Sequence, residues 1–277
     1  MESAPRLVAP PGACDTHIHV YEAGAALGPR ALGPGPAHGT VEAFRRVMAR
    51  LGTTRAVVVQ PTAYGADTRV TMGAVAALGL AHARAIVVVE PDVAEAELAR
   101  LHAGGARGVR FQMWPGGHLP WEALEPLAAR VAPLGWHIQL QLNGRLLAER
   151  DALLRRLPCP VVIDHVGRFT PPVPPEHEAF RALLGLLETG RCWLKLSGPY
   201  GSSLRPDWAD VAALARAAAE AAPERMLWAS DWPHPSESVP PDDARLLDVL
   251  LDWIPDEARR RRALADNPAA AYGFAAA

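Results

Sequence analysis

The chain has 277 residues, of which 49% are hydrophobic and 21% charged, with a formal net charge of −2. That length buries a sizeable core, and the charge balance offers no basic face to nucleic acid or to an anionic membrane. The one basic run, the arginines at 259–262, falls in a helical C-terminal stretch and reads as a solvated face.

Three cysteines, Cys14, Cys159 and Cys192, are far apart in sequence, each in an apolar run and without metal-finger spacing. A reduced, cytoplasmic setting is therefore expected. No apolar run reaches the roughly 18 residues of a membrane span, and residues 1–12 lack an export pattern, so they are expected to form an extended arm.

The first motif is Cys14-Asp15-Thr16-His17-Ile18-His19-Val20, an apolar strand carrying histidines at i and i+2. Alternate residues of a strand share a face, so the two imidazoles lie about 7 Å apart along it, able to grip a cation or polarise a carbonyl. Residues 22–39 are rich in Gly, Pro and Ala, a long loop of the kind that serves sites. Helical spacing follows over 40–52, and then the pattern alternates: strand 55–61, helix 68–80, strand 85–89, a helix through Leu98 and Leu101, strand 108–112, helix 121–131. It continues with strand 136–142, helix 144–157, strand 160–165, a Pro-rich loop and a helix to about residue 187, strand 192–197, helix 208–221, strand 226–231 and closing helices.

Eight apolar strands separated by helices imply a parallel sheet covered on both faces. Eight such units in this length predict one α/β domain over residues 1–277, a (β/α)₈ TIM barrel. A doubly wound open sheet is the alternative, but the first strand-to-helix turn has no Gly-x-Gly-x-x-Gly fingerprint for a dinucleotide.

Barrel sites form at the carboxyl ends of strands. There the sequence places His17 and His19, Gln60, Glu90, Arg110 and Gln112, Gln139 and Gln141, then Asp164, His165 and Arg168, Lys195 and Ser197, and Asp231 and His234. A purely structural barrel has no reason to end so many strands in groups that are costly to bury. Together they predict an active site.

Those residues carry a resemblance. His17-x-His19, Asp164-His165-x-Gly167-Arg168 and Ser230-Asp231-Trp232-Pro233-His234-Pro235 resemble the amidohydrolase superfamily, in its amidohydrolase 2 branch. Gly108-Val109-Arg110-Phe111, Trp193-Leu194-Lys195-Leu196-Ser197-Gly198, Asn267-Pro268 and Tyr272-Gly273-Phe274 are similar to its 2-pyrone-4,6-dicarboxylate lactonases and related sugar and muconolactone lactonases. The resemblance implies a hydrolase that opens a carboxylated lactone by attack of water. Asp231 would be the general base, and His17, His19 and His165 would polarise the carbonyl as donors or by holding a metal.

Arg110 and Arg168 would pair with substrate carboxylates, and His234, Gln141, Tyr64, Tyr200 and Arg205 would add substrate contacts. The group needs no obligatory metal. Arg110 on strand four and the glutamines on strand five argue against two metals, leaving at most one zinc or manganese on His17, His19, His165 and Asp231. Gln141 stands where the pyrone lactonases place a tyrosine, which points away from their own substrate. The other readings are a metal-dependent decarboxylase of the aminocarboxymuconate-semialdehyde type and a non-catalytic barrel scaffold. A small molecule is the expected partner.

Overall fold

The computed structural model describes residues 3–275. Its strands are β1 (Cys14–Ile18), β2 (Arg55–Val59), β3 (Ala83–Val87), β4 (Ala106–Gln112), β5 (His137–Gln141), β6 (Val161–Ile163), β7 (Cys192–Leu196) and β8 (Met226–Trp228). They pair in sequence order, each parallel to the next. Beyond β8 the chain turns back on β1: the His19 amide donates to the Trp232 carbonyl at 2.8 Å, and the Asp231 amide to the His17 carbonyl at 3.0 Å. The sheet is thereby a nearly closed (β/α)₈ barrel.

Helices α1 (Val41–Leu51), α2 (Arg69–Leu78), α3 (Glu95–Ala103), α4 (Leu124–Val131), α5 (Leu147–Arg156), α6 (Glu178–Glu188), α7 (Ala209–Ala221) and α8 (Asp243–Asp248) follow the strands in turn. Among the described residues no helix is long and apolar enough to cross a membrane. The first helix shows why the local sequence folds this way. Thr40 Oγ1 accepts from the Ala43 amide, Gly52 ends the helix at φ 74°, and Phe44, Val47 and Leu51 bury one face.

The expected boundaries shift by a few residues. The third strand is 83–87 rather than 85–89, and the helix expected from Trp121 opens with one tight turn, Trp121–Ala123. Strand eight ends at Trp228, so Asp231 lies in the turn beyond it. Within the N-terminal arm, the Arg6 and Leu7 amides donate to Asp248 Oδ1 on α8 at 2.8 and 2.9 Å.

Strand alternation sorts the side chains. Ile138 and Leu140 join the core beneath the helices, whereas Val57, Val59, Ile86, Val162, Trp193 and Leu227 form an inner floor closed by Tyr272 and Phe274. Above that floor the inward positions turn polar. Strand β1 needs a change of parity to take part, since Cys14 packs in the floor and yet His17 and His19 belong to the polar layers. The pairing of β1 with β2 is irregular between Asp15 and Ile18, and that irregularity supplies the shift.

Asp15, wholly buried, is the residue that exploits it. Its Oδ1 accepts from the Ser230 amide at 3.0 Å and the His17 amide at 3.3 Å, and the Ser230 hydroxyl bonds its other oxygen. Thr16 Oγ1 donates to the Trp228 carbonyl at 2.8 Å. These side chains seam the first strand to the last. Burial pushes the Asp15 carboxyl up to about 7 against the pull of its Ser230 and His17 hydrogen bonds, so a neutral group is tolerated there. Asp15→Ala, which strands two buried amides, should cost about 3 kcal/mol in a denaturant titration, and Asp15→Asn about 1 kcal/mol. Equal costs would mean that the seam lies elsewhere.

Candidate active site

The deepest polar layer is a buried charge pair with its ligands. Lys195 Nζ donates to Gln139 Oε1 at 2.7 Å and lies 3.4 Å from Asp164 Oδ1. Gln139 Nε2 donates to Asp164 Oδ2 at 3.1 Å. Burial lowers the Lys195 ammonium to about 8, although Asp164 favours its charge. His17 rests on this layer: its Nδ1 is 3.3 Å from both Lys195 Nζ and Asp164 Oδ1. A donor and an acceptor at equal distance satisfy either tautomer. With Lys195 donating to Nδ1, His17 presents Nε2–H; with Nδ1–H given to Asp164, it presents a lone pair.

The next layer is at the mouth. His19 Nδ1 donates to the Val59 carbonyl at 2.7 Å, which leaves its Nε2 bare, 3.3 Å from His17 Nε2. His165 Nδ1 lies 3.0 Å from Ser197 Oγ. This close approach requires Gly198, because a Cβ there would stand 2.8 Å from that same nitrogen, and Gly198 sits at φ 53°. Around Asp231 Oδ1 the three Nε2 atoms gather at 3.6 Å (His17), 3.8 Å (His19) and 3.9 Å (His165). Burial holds all three imidazoles well below their ordinary range, His19 to about 3, and so keeps them neutral. Burial also pushes Asp231 up to about 6; the Tyr200 hydrogen bond, His234, Arg110 and Arg168 pull the other way.

A cavity of about 460 Å³ opens over this cluster, lined by His19, Arg110, Gln141, His165, Arg168 and Asp231 among others. Arg110 is buried, held by the Gln60 carbonyl at 2.7 Å and Gln141 Oε1 at 2.9 Å. Its Nε has no partner among the described residues, nor has that of Arg168, whose guanidinium stacks 4.8 Å from the Trp114 ring centroid. Two cations lining the cavity beside one carboxylate, neither of them paired with it, suit an anionic ligand.

Four of the expected substrate contacts lie elsewhere. Tyr64 is buried with its hydroxyl accepting from the Glu22 amide at 2.9 Å, and Arg205 is exposed and paired with Asp207 at 3.1 Å. Tyr200 and His234 are also not among the cavity-lining residues, being bonded behind Asp231. For Arg205 the reason is local, since a carboxylate two residues away captures the guanidinium. Tyr21 and Trp114 do line the cavity and were not singled out; each lies two residues past a chosen one, His19 and Gln112, where strand alternation points to it.

The donor set fits one metal ion. His17, His19 and Asp231 each bring a ligand atom within 4.8 Å of the others, and the measured edges of 3.3, 3.6 and 3.8 Å approach the roughly 3.4 Å of a tetrahedron with bonds near 2.1 Å. His165 adds a fourth donor at 3.9 Å from Asp231. A second group, His17, Asp164 and His165, shares two of these histidines and includes the carboxylate paired with Lys195.

The amidohydrolase family model matches residues 14–274. The chain belongs to the amidohydrolase family. It is 37% identical to D-galactarolactone isomerase of Agrobacterium fabrum, covering 98% of this chain and 94% of that one. Against 4-sulfomuconolactone hydrolase of Hydrogenophaga intermedia the identity is 33%, over 97% and 91% of the two chains. An apo crystal structure of ATU3138 from Agrobacterium tumefaciens superposes with a TM-score of 0.94 at 36% identity, covering 99% of this chain and 100% of that one.

The geometry predicts metal stoichiometry. Elemental analysis after dialysis against zinc should give at most one equivalent per chain, with affinity at least about tenfold lower in His19→Ala. Two tightly held equivalents would contradict the reading of Lys195 as a fixed internal cation.

Proposed function

We propose that this chain is a hydrolase that opens a carboxylated lactone at the mouth of its barrel, working in the cytoplasm, where its three buried free cysteines stay reduced. The observation that supports this most directly is Asp231 Oδ1 ringed by three imidazoles at 3.6–3.9 Å in a cavity also lined by Arg110 and Arg168, neither of which is paired with it. The relatives named for lactone chemistry support the ring ester as substrate.

The residues divide the work. Arg110 and Arg168 anchor carboxylates of the substrate and so place the ester carbonyl over the imidazoles. His17, as the Nε2–H tautomer backed by Lys195, turns its hydrogen from the Nε2 of His19 to the carbonyl oxygen, to which His165 also donates as negative charge grows on it. His19, whose Nε2 is bare, accepts from the nucleophilic water and orients it. Asp231 Oδ1 takes that water's proton as the oxygen bonds the carbonyl carbon. When the ring C–O bond breaks, Asp231 returns the proton to the leaving alkoxide, giving a hydroxy acid.

A single zinc or manganese ion on His17, His19, His165 and Asp231 would supply Lewis acidity at the same carbonyl. Because the histidines alone supply donors, no metal is obligatory, and turnover is expected to survive a chelator.

A second reading follows from the 37% identity to an isomerase. Asp231 would then take its proton from a hydroxyl of the substrate, which attacks the same carbonyl and changes the ring. Turnover of D-galactarolactone in H₂¹⁸O separates the two: hydrolysis places ¹⁸O in the product carboxylate, and isomerisation places none.

Asp231→Asn keeps the shape and removes the base, so kcat should fall about 10²- to 10⁴-fold. Since only the ionised carboxylate accepts a proton, kcat/KM of the native enzyme should rise with pH through about 6 and fall below it. Arg110→Met should instead raise KM for D-galactarolactone and leave that for the uncharged D-galactonolactone nearly unchanged. Near-native turnover by Asp231→Asn would remove the assignment of the base.

A further inference from the structure

Tyr200 sits in the single turn Pro199–Gly201 after β7. Its hydroxyl donates to Asp231 Oδ2 at 2.7 Å and stands 2.9 Å from His234 Nδ1. Behind it His234 Nε2 lies 2.8 Å from Asp243 Oδ1, and Asp243 Oδ2 accepts from Arg50 Nη2 at 2.9 Å. His234 and Asp243 are buried, and they border a separate cavity of about 510 Å³, apart from the one over the imidazoles. The chain of bonds therefore reaches Asp231 through residues that do not line the cavity over the imidazoles.

The need for such a tie is electrostatic. Asp231 shares its cavity with Arg110 and Arg168, and both guanidiniums attract it. Among the described residues its ion contacts within 4.0 Å are nevertheless the three imidazoles, and neither arginine. The backbone does not explain this. Asp231 and His234 are both left-handed, at φ 67° and 60°, a conformation costly for any residue with a Cβ. Tyr200 bonds both side chains of that turn.

We propose that Tyr200 is a positioning residue, which with His234 and Asp243 behind it holds Asp231 by Oδ2 and so keeps Oδ1 among the imidazoles instead of paired with an arginine. This rests on the reading of Asp231 as the base. Without the tie, one swing of the carboxylate removes the base and blocks a guanidinium meant for the substrate, so both kcat and KM suffer.

The test is a double-mutant cycle on D-galactarolactone and D-galactonolactone. Tyr200→Phe, which keeps the ring, should lower kcat about 10- to 100-fold on both, the loss of one hydrogen bond to a charged group. It should raise KM for the carboxylated lactone only. In an Asp231→Asn background, whose neutral amide no arginine attracts, Tyr200→Phe should add less than about twofold. His234→Gln, which loosens the same hydroxyl, should show a smaller loss with the same non-additivity.

A tyrosine that touched substrate or merely supported the loop would cost as much in the Asn background as in the native one, and that result overturns the proposal. Unchanged kcat in Tyr200→Phe overturns it too. If instead Asp231→Asn alone turned over normally, the base assignment would be at fault, whatever Tyr200 did.

Discussion

A shift of parity in the first strand is the constraint on which the rest depends. Strand alternation would give Cys14 and His17 opposite faces. The irregular register between Asp15 and Ile18 lets both point inward, Cys14 into the apolar floor and His17 onto the Lys195–Asp164 pair. It also frees Asp15 and Thr16 to bond the last strand, through Ser230 and the Trp228 carbonyl. Closure of the barrel and aim of the histidines thus share one local feature. The same seam carries the amide of Asp231 onto the carbonyl of His17, so main chain fixes where the Asp231 side chain begins, though not which way its carboxylate turns.

The charged layer beneath illustrates what burial makes of ordinary residues. Lys195 and Asp164 are fully enclosed, and each would be costly alone. Gln139 bridges them with one donor and one acceptor, while Asp164 Oδ1 makes no hydrogen bond among the described residues and faces Lys195 Nζ at 3.4 Å. Their value to the site is positional. An internal cation 3.3 Å from His17 puts a positive charge in this layer that needs no open coordination site. Asp164 at the same distance provides the acceptor that a metal-bound histidine calls for. The layer thereby supports His17 as a hydrogen-bond donor and as a metal ligand.

Much of this was legible in the sequence, for physical reasons that also mark the limits. Fully buried parallel strands are continuous apolar runs, so all eight could be placed, and polar residues at their ends announced His17, His19, Arg110, His165 and Asp231. Which of those polar residues face one another depends on layer and loop, and periodicity is silent there. Tyr200, His234, Tyr64 and Arg205 were assigned to substrate because loops at a barrel mouth carry function. Their actual partners are Asp231, Asp243, Glu22 and Asp207. Only the Arg205–Asp207 pair lies within two residues, where local sequence could reveal it. Asp15 is not marked in the sequence because its partner Ser230 lies at the opposite end of the chain, and the local bond to the His17 amide alone distinguishes no site.

The mouth itself contains a conflict that explains its construction. A base must be anionic and reachable, and recognition of carboxylates requires cations in the same cavity of about 460 Å³. Left to themselves, opposite charges in a poorly solvated pocket collapse into an ion pair and neither is available. Here each charge is held in the cavity wall by groups of its own: Arg110 by the Gln60 carbonyl and Gln141, Arg168 by the face of Trp114, and Asp231 by Tyr200. These restraints are neutral, so they hold the charges apart without cancelling them. On the proposed reading, an arriving anion meets guanidiniums that Asp231 has not already paired. On that reading its own charge would offset that of the arginines and make Asp231 the stronger proton acceptor. Keeping the charges apart is thus what would let binding itself prepare the proposed base.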